Sequence, residues 1–131
     1  MKNSLLHHPL KEKILTEVEQ EMMNILWKIE PCSIHQIIEN LPKNRELAYT
    51  SVATIIRILE QKEFLKSDKE NKFHVYSSKI TKEEYEKKSL SHLAKNVFDN
   101  KPLNIVKCLF NSKNLSKNDL HEIQKLLDEN S

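Results

Sequence analysis

Residues 47–62 read LAYTSVATIIRILEQK, Leu47 to Lys62, and the reading of this stretch decides the fold. Val52, Ile55, Ile56 and Leu59 recur at steps of three and four, which puts them on one face of a helix. Thr50, Ser51, Thr54 and Arg57 fall largely on the other face. Hydroxyls and a guanidinium on an outer helix face suit the major groove of DNA, where Thr and Ser meet base edges or phosphates and Arg pairs with guanine. The same face also suits an ordinary solvated helix, so the flanking elements have to decide between the two readings.

Upstream, Ser33 and Gln36 have the spacing of a capping box, and Ile34, Ile37, Ile38 and Leu41 form a two-turn apolar stripe closed by Pro42. Earlier still, Thr16 and Glu19 repeat that spacing. Val18, Met22, Ile25, Leu26 and Ile29 then line a first helix that stops near Pro31. Lys43 to Glu46 is a polar connector. Downstream the period falls to two: Phe64 to Ser67 and Lys72 to Tyr76 read as strands, with Asp68 to Asn71 as the turn between them. Three helices and a hairpin, with a short second helix before an exposed third, predict a winged helix-turn-helix over residues 15–80.

Charge agrees with that layout. Pro42 to Ile80 holds eight Lys+Arg against five Asp+Glu, a net +3, whereas Met1 to Leu41 sums to −2. The asymmetry favours double-stranded DNA as the partner of the positive stretch. Lys69 and Lys72 lie near the hairpin turn, where they either meet phosphate from a wing or keep a charged turn hydrated.

Beyond Ile80 the pattern is helical again. A capping pair, Thr81 and Glu84, precedes Tyr85, Leu90, Leu93, Val97 and Phe98. Asn100 to Asn111 reads as a short helix with Pro102 in its first turn and Leu103, Val106, Leu109 and Phe110 inside. Ser116 and Asp119 open a last helix through Leu120, Ile123, Leu126 and Leu127. Three short helices alone bury too little apolar area to offset roughly 1.5 kcal/mol of ordering entropy per residue. A second copy supplies the missing surface, because a twofold interface lets one set of side chains bury itself twice. Residues 81–131 are therefore expected to be a dimerisation module making a homodimer through Leu93, Val97, Phe98, Val106, Leu109, Phe110, Leu120, Ile123 and Leu127. Residues 1–14, with His7, His8 and Pro9 and no sustained period, are expected to be a flexible arm.

Composition narrows the function classes. At 131 residues the chain has room for one domain or two small ones, and 38% hydrophobic with 31% charged residues makes it foldable but core-poor, at a net charge of only +2. The absence of glycine excludes glycine-rich phosphate loops, dinucleotide fingerprints and nucleophile elbows. The twelve asparagines can take left-handed turn positions instead. The two cysteines, Cys32 and Cys108, are too few for a disulfide scaffold, and both read as core residues of a protein in a reducing cytoplasm. Cys32 and His35 have ligand-like spacing, but no second pair completes a metal site. Met22, Met23 and Trp27 read as core filling. No paired carboxylates or nucleophile triad is nameable, so neither an enzyme nor a cofactor is expected. With no apolar run near the ~18 residues of a membrane span and no signal-length block in Met1 to Ile14, the chain is expected to be soluble, unprocessed and not inserted in a membrane.

Leu15-Thr16-Glu17-Val18-Glu19 with Met22, Asn24, Ile25, Leu26 and Trp27, then Tyr49-Thr50-Ser51-Val52-Ala53-Thr54-Ile55-Ile56, then Val75-Tyr76, resemble the penicillinase repressors of the BlaI/MecI type. Order and spacing match from about Leu15 to Ser131. The resemblance implies a homodimeric winged-helix repressor that binds palindromic operators upstream of β-lactamase or related resistance genes. It also implies release when a membrane sensor protease triggers cleavage. It places Thr50, Ser51 and Thr54 at recognition-helix positions, with Arg57 one turn further along. Three departures stand out. Ile58 occupies the place where the family usually has Arg before Leu, and Glu63 replaces a glycine that often precedes the strand. Leu109-Phe110 stands near where several members have a scissile Asn-Phe bond, and the Asn is missing. The copper-responsive branch carries a C-terminal cysteine cluster, and Cys108 alone does not form one.

Two rival readings make different demands. A winged-helix module that binds protein rather than DNA requires no salt-dependent DNA affinity. A repressor answering directly to a small molecule requires a ligand that shifts melting temperature and operator affinity together.

Overall fold

The Thr16 and Glu19 pair closes on itself at the start of the first helix. The Glu19 amide donates to Thr16 Oγ1 at 3.2 Å and the Thr16 amide to Glu19 Oε1 at 2.9 Å, and helix α1 follows over Glu17–Ile29. These elements belong to a computed structural model describing residues 14–68 and 74–131; the expected arm falls outside the described residues except for Ile14. Met22, Met23 and Leu26 of α1 are fully buried, and Val18, Ile25 and Ile29 are partly so. Met23 lies off the stripe read from spacing, and it is inside because α1 has neighbours on several sides.

Ser33 and Gln36 form the second reciprocal cap, opening helix α2 over Ile34–Glu39. Helix α3 spans Tyr49–Gln61 and packs against both α1 and α2. It starts two residues later than the apolar spacing indicates, because Ala48 is extended (φ −68°, ψ 152°) and caps the helix without a side-chain bond. Val52, Ile56 and Leu59 of α3 are buried, while Ile55 and Ile58 are half-buried.

Strand β1, Leu65–Asp68, pairs antiparallel with β2, Val75–Ser78, in the register Leu65 with Ser78 and Ser67 with Tyr76. The second strand therefore sits later than Lys72 to Tyr76: His74 precedes it, and Ser77 and Ser78 belong to it. Two polar serines give no alternation to read, yet their place is fixed by backbone demand. Cys32 exchanges both main-chain bonds with Tyr76, at 3.0 and 2.7 Å, and the Ser78 amide donates to Glu30 Oε1 at 2.7 Å. The segment between α1 and α2 thus adds a bridge to the two-stranded sheet.

The chain divides into two compact units, the first running through Lys88 and the second covering Ser89–Ser131. Helix α4, Lys82–Asn96, opens with the Thr81 and Glu84 cap. Its Tyr85 is buried in the first unit, with ring centroids 5.9 Å from Trp27 and 5.7 Å from Phe64, and its hydroxyl accepts from the Leu15 amide at 2.9 Å. Trp27 Nε1 donates to the Ile80 carbonyl at 3.0 Å. The first unit is a winged helix-turn-helix with one core.

In the second unit α4 ends at Asn96, so Val97 and Phe98 lie in the turn that follows rather than on the helix. Asp99 and Asn100 take left-handed backbone (φ 52° and 61°), and the Asn100 amide returns to the Ala94 carbonyl at 2.7 Å. Helix α5 is Pro102–Asn111 with proline at its start, and α6 is Lys117–Glu129 behind the Ser116 and Asp119 cap. Ala94 is the one buried hydrophobic side chain of this unit among the described residues. Phe98, Ile105, Leu115 and Ile123 are half-buried. Leu103, Val106, Leu109 and Phe110, read from the sequence as inside, are exposed, with Phe110 at 47%. Cys108, read as core, is exposed as well. The apolar spacing marks a real helix face, but a single copy of the unit has no second layer to cover it.

Candidate nucleic-acid interface

Burial of Val52, Ile56 and Leu59 fixes the rotation of α3 and turns Thr50, Ser51, Thr54 and Arg57 outward, all four exposed. Thr54 Oγ1 donates to the Thr50 carbonyl at 2.9 Å, which leaves its oxygen oriented to accept. Of the two arginines, Arg45 is engaged, its Nε and Nη2 donating to the Glu21 carboxylate at 2.9 to 3.2 Å. Arg57 makes no ion pair with a described residue, so its five donors are available to a ligand. Ile58, at the place where the resembled family usually has Arg, is half-buried and lies one turn beyond Thr54, so it puts an apolar side chain on the Ser51 and Thr54 side of the helix.

An open groove runs between α3 and the hairpin. Ile34, Ala53 and Tyr76 contribute to it, together with Tyr49, Thr50, Thr54, Arg57 and Glu60 from α3 and Ser67 and His74 from the hairpin side. Tyr49, exposed at the start of α3, lies against the His35 ring with centroids 4.9 Å apart. Burial first, then the Glu60 charge and then Tyr49, raise the Tyr76 phenol above its usual value. Tyr49, His74 and Glu60 were not singled out from the sequence. Glu60 could have been found by continuing the 50, 54, 57 spacing one turn, and Tyr49 by the steps of four that join it through Ala53 to Arg57, whereas His74 reaches the groove through the hairpin register. Lys69 and Lys72 lie outside the described residues.

Four other shifted groups, Glu19, Cys32, Glu84 and Asp119, belong to helix caps or the core. Burial acts to raise the Glu19 carboxyl, but Lys62 Nζ together with the Thr16 amide and hydroxyl outweighs it and holds the group below the usual carboxylate value. Glu84 and Asp119 are lowered chiefly by their caps, through the amides and hydroxyls of Thr81 and Ser116. Burial, with the Glu30 charge behind it, pushes the Cys32 thiol up to about 11, which suits a packed side chain and not a nucleophile. Among the described residues no three His, Cys, Asp or Glu gather as a metal site, and no helix is long and apolar enough to cross a membrane.

The sequence profile described as Penicillinase repressor matches residues 15–129, from Leu15 to the end of α6. The chain belongs to the penicillinase repressor family. This is a family of regulators and not of enzymes, and it is the family on whose motifs the sequence resemblance rests. Among its relatives, the chain is 29% identical over 117 residues to the penicillinase repressor of Bacillus licheniformis, covering 88% of this chain and 90% of that one. It is 25% identical over 114 residues to the methicillin resistance regulatory protein MecI of Mammaliicoccus sciuri, covering 87% and 93%. To the penicillinase repressor of Staphylococcus aureus it is 22% identical over 119 residues, covering 91% and 94%. Family membership spans both units, so the exposed C-terminal helices are as much part of the family pattern as α3.

Proposed function

We propose that this chain is a homodimeric, DNA-binding transcriptional repressor that binds palindromic operators in the cytoplasm and controls β-lactamase or related resistance genes. Residues 15–80 bind DNA and residues 81–131 pair two copies. The observation that carries the reading is the α3 face itself: Thr50, Ser51, Thr54 and Arg57 stand outward on a helix whose reverse side is locked into the core. Two such helices in one dimer enter successive major grooves, and Lys69 and Lys72 add phosphate contacts from the hairpin turn. The exposed leucines, valines and phenylalanine of α4 to α6 support pairing, since a soluble chain gains by covering so much apolar surface. A membrane sensor protease is the inducing partner that the family implies. Leu109 and Phe110 lie within helix α5, and the Asn of the resembled scissile bond is absent.

Fluorescence anisotropy of the full chain against a palindromic and a scrambled duplex, titrated at several salt concentrations, tests the reading. Dimer-stoichiometric binding that prefers the palindrome and weakens with salt is expected. Equal and salt-insensitive affinity for both duplexes would instead favour a winged helix that binds protein.

A further inference from the structure

The outward face of α3 does not stop at Arg57. The spacing that joins Thr50, Thr54 and Arg57 continues one turn to Glu60, which lines the groove between α3 and the hairpin with them. The carboxylate is held in place, because Ser67 of β1 donates its hydroxyl to Glu60 Oε2 at 2.8 Å. Its field reaches the groove floor, where Glu60 stands second only to burial in raising the Tyr76 phenol.

When a recognition helix lies in the major groove and a wing reaches toward the adjoining backbone, a sugar-phosphate strand passes between them. In this molecule that passage is lined by the hydroxyls of Tyr49 and Thr50, the Arg57 guanidinium and the His74 imidazole, all of which can donate to phosphate, together with Thr54 and Ser67, whose hydroxyl protons are held by the Thr50 carbonyl and Glu60. Among the described residues of that lining Glu60 is the one acidic side chain. A carboxylate fixed beside a phosphate path repels it, and the Ser67 bond keeps the side chain from swinging freely into solvent. We propose that Glu60, held by Ser67, is an electrostatic brake on DNA binding that lowers affinity for every duplex and leaves the preference for the operator intact. The inference rests on the DNA-binding reading above. A brake of this kind keeps sequence-independent binding weak, so that base contacts from α3 decide occupancy.

The test uses the full chain and Glu60→Gln, whose amide oxygen still accepts from Ser67, with Glu60→Lys as the stronger variant. Each is titrated by anisotropy against the palindromic and the scrambled duplex between about 50 and 200 mM salt, and its melting temperature is recorded alongside. Glu60→Gln is expected to tighten both duplexes by the same factor, about 3-fold to 10-fold, with the gain shrinking as salt screens it. Glu60→Lys should gain more. Unchanged or weaker binding by a variant that melts like the parent overturns the brake, and so does a gain confined to the palindrome. Parent binding that prefers the palindrome, with no gain in either variant, removes the brake alone. Absence of binding by all three proteins at the lowest salt removes the DNA-binding reading and the brake with it.

Discussion

Lys62 Nζ donates to both carboxylate oxygens of Glu19, at 2.9 and 2.8 Å, joining the C-terminal end of α3 to the first turn of α1 across 43 residues. The same carboxylate accepts the Thr16 amide, so one buried side chain caps α1 and ties α3 to it. Any tilt of α3 relative to α1 has to stretch this pair, which makes it part of what aims the outer face of α3.

Removing one partner from such a pair leaves the other charge partly stranded. Glu19→Ala is expected to cost about 2 to 3 kcal/mol, below the ~3 to 5 kcal/mol of a fully buried pair because Lys62 keeps some water contact. The pH dependence has a definite sign. The folded Glu19 carboxyl lies below its ordinary value of 4.5, so its stabilisation is fully present above that value and is lost as pH falls through the folded one. Urea unfolding at pH 7, 5, 4 and 3 should show stability dropping on the acid side, and Glu19→Gln should flatten that limb. An acid limb identical in parent and variant would show that other carboxylates carry it.

Glu63 sits at φ 64°, in the left-handed region that costs a residue with a Cβ roughly 1 to 2 kcal/mol. Its ion pair with Lys79 at 3.3 Å is solvent-exposed and offsets little of this. Glu63→Gly relieves the strain but adds about 0.5 to 1 kcal/mol of chain entropy, for a net gain of about 0.5 kcal/mol. Glu63→Ala keeps the strain and loses the pair. The glycine variant should therefore unfold at a higher urea midpoint than the alanine variant, by about 1 kcal/mol in stability. Equal midpoints would mean that the turn holds no strain.

The C-terminal face gives a prediction in which folding and assembly separate. Phe110 is 47% exposed and Leu109 40% in the single chain, so Phe110→Glu should leave the helix intact and change little within one copy. In a twofold interface the same change removes about 1.5 to 3 kcal/mol of burial twice. Dimerisation should weaken by about 10²-fold to 10⁴-fold. Sedimentation should show a monomer at micromolar concentration where the parent is a dimer, and the parent's melting temperature should rise with concentration while the variant's does not. A variant that stays dimeric would place the interface elsewhere.

Capping pairs and apolar stripes made most of the winged helix legible. Thr16 with Glu19, Ser33 with Gln36, Thr81 with Glu84 and Ser116 with Asp119 all close as their spacing indicates, because a cap is a local bond between residues three apart. The outer face of α3 was legible for the same reason. What could not be read is what distant backbone decides. Ser77 and Ser78 enter β2 because Leu65, Lys66 and Glu30 take up their main-chain groups, and Cys32 joins the sheet through a two-residue stretch too short to show a period. His74 and Glu60 line one groove only once that register is set. Cys108 and Phe110 look like core by composition, and whether a second layer of the chain covers their helix face is something no local pattern reports.

Arg57 offers the sharpest test of the proposal that α3 reads DNA, because it stands exposed beside Thr54 while Arg45 is occupied by Glu21. Arg57→Ala should leave stability within about 0.5 kcal/mol of the parent's, since the side chain supports nothing in the core. If Arg57 pairs with a guanine, the variant loses about 1 to 3 kcal/mol on the palindrome and little on the scrambled duplex. If it meets a phosphate, both duplexes weaken alike and the salt slope falls by about 1. Arg57→Lys separates these further, because a lysine keeps a phosphate contact but not the two-pronged pairing to a base. Arg45→Ala should lower stability through loss of the Glu21 contact and leave the ratio between the two duplexes unchanged. Parent-like affinity and salt slope in Arg57→Ala would take Arg57 off the interface and leave Thr50, Ser51 and Thr54 to carry the recognition.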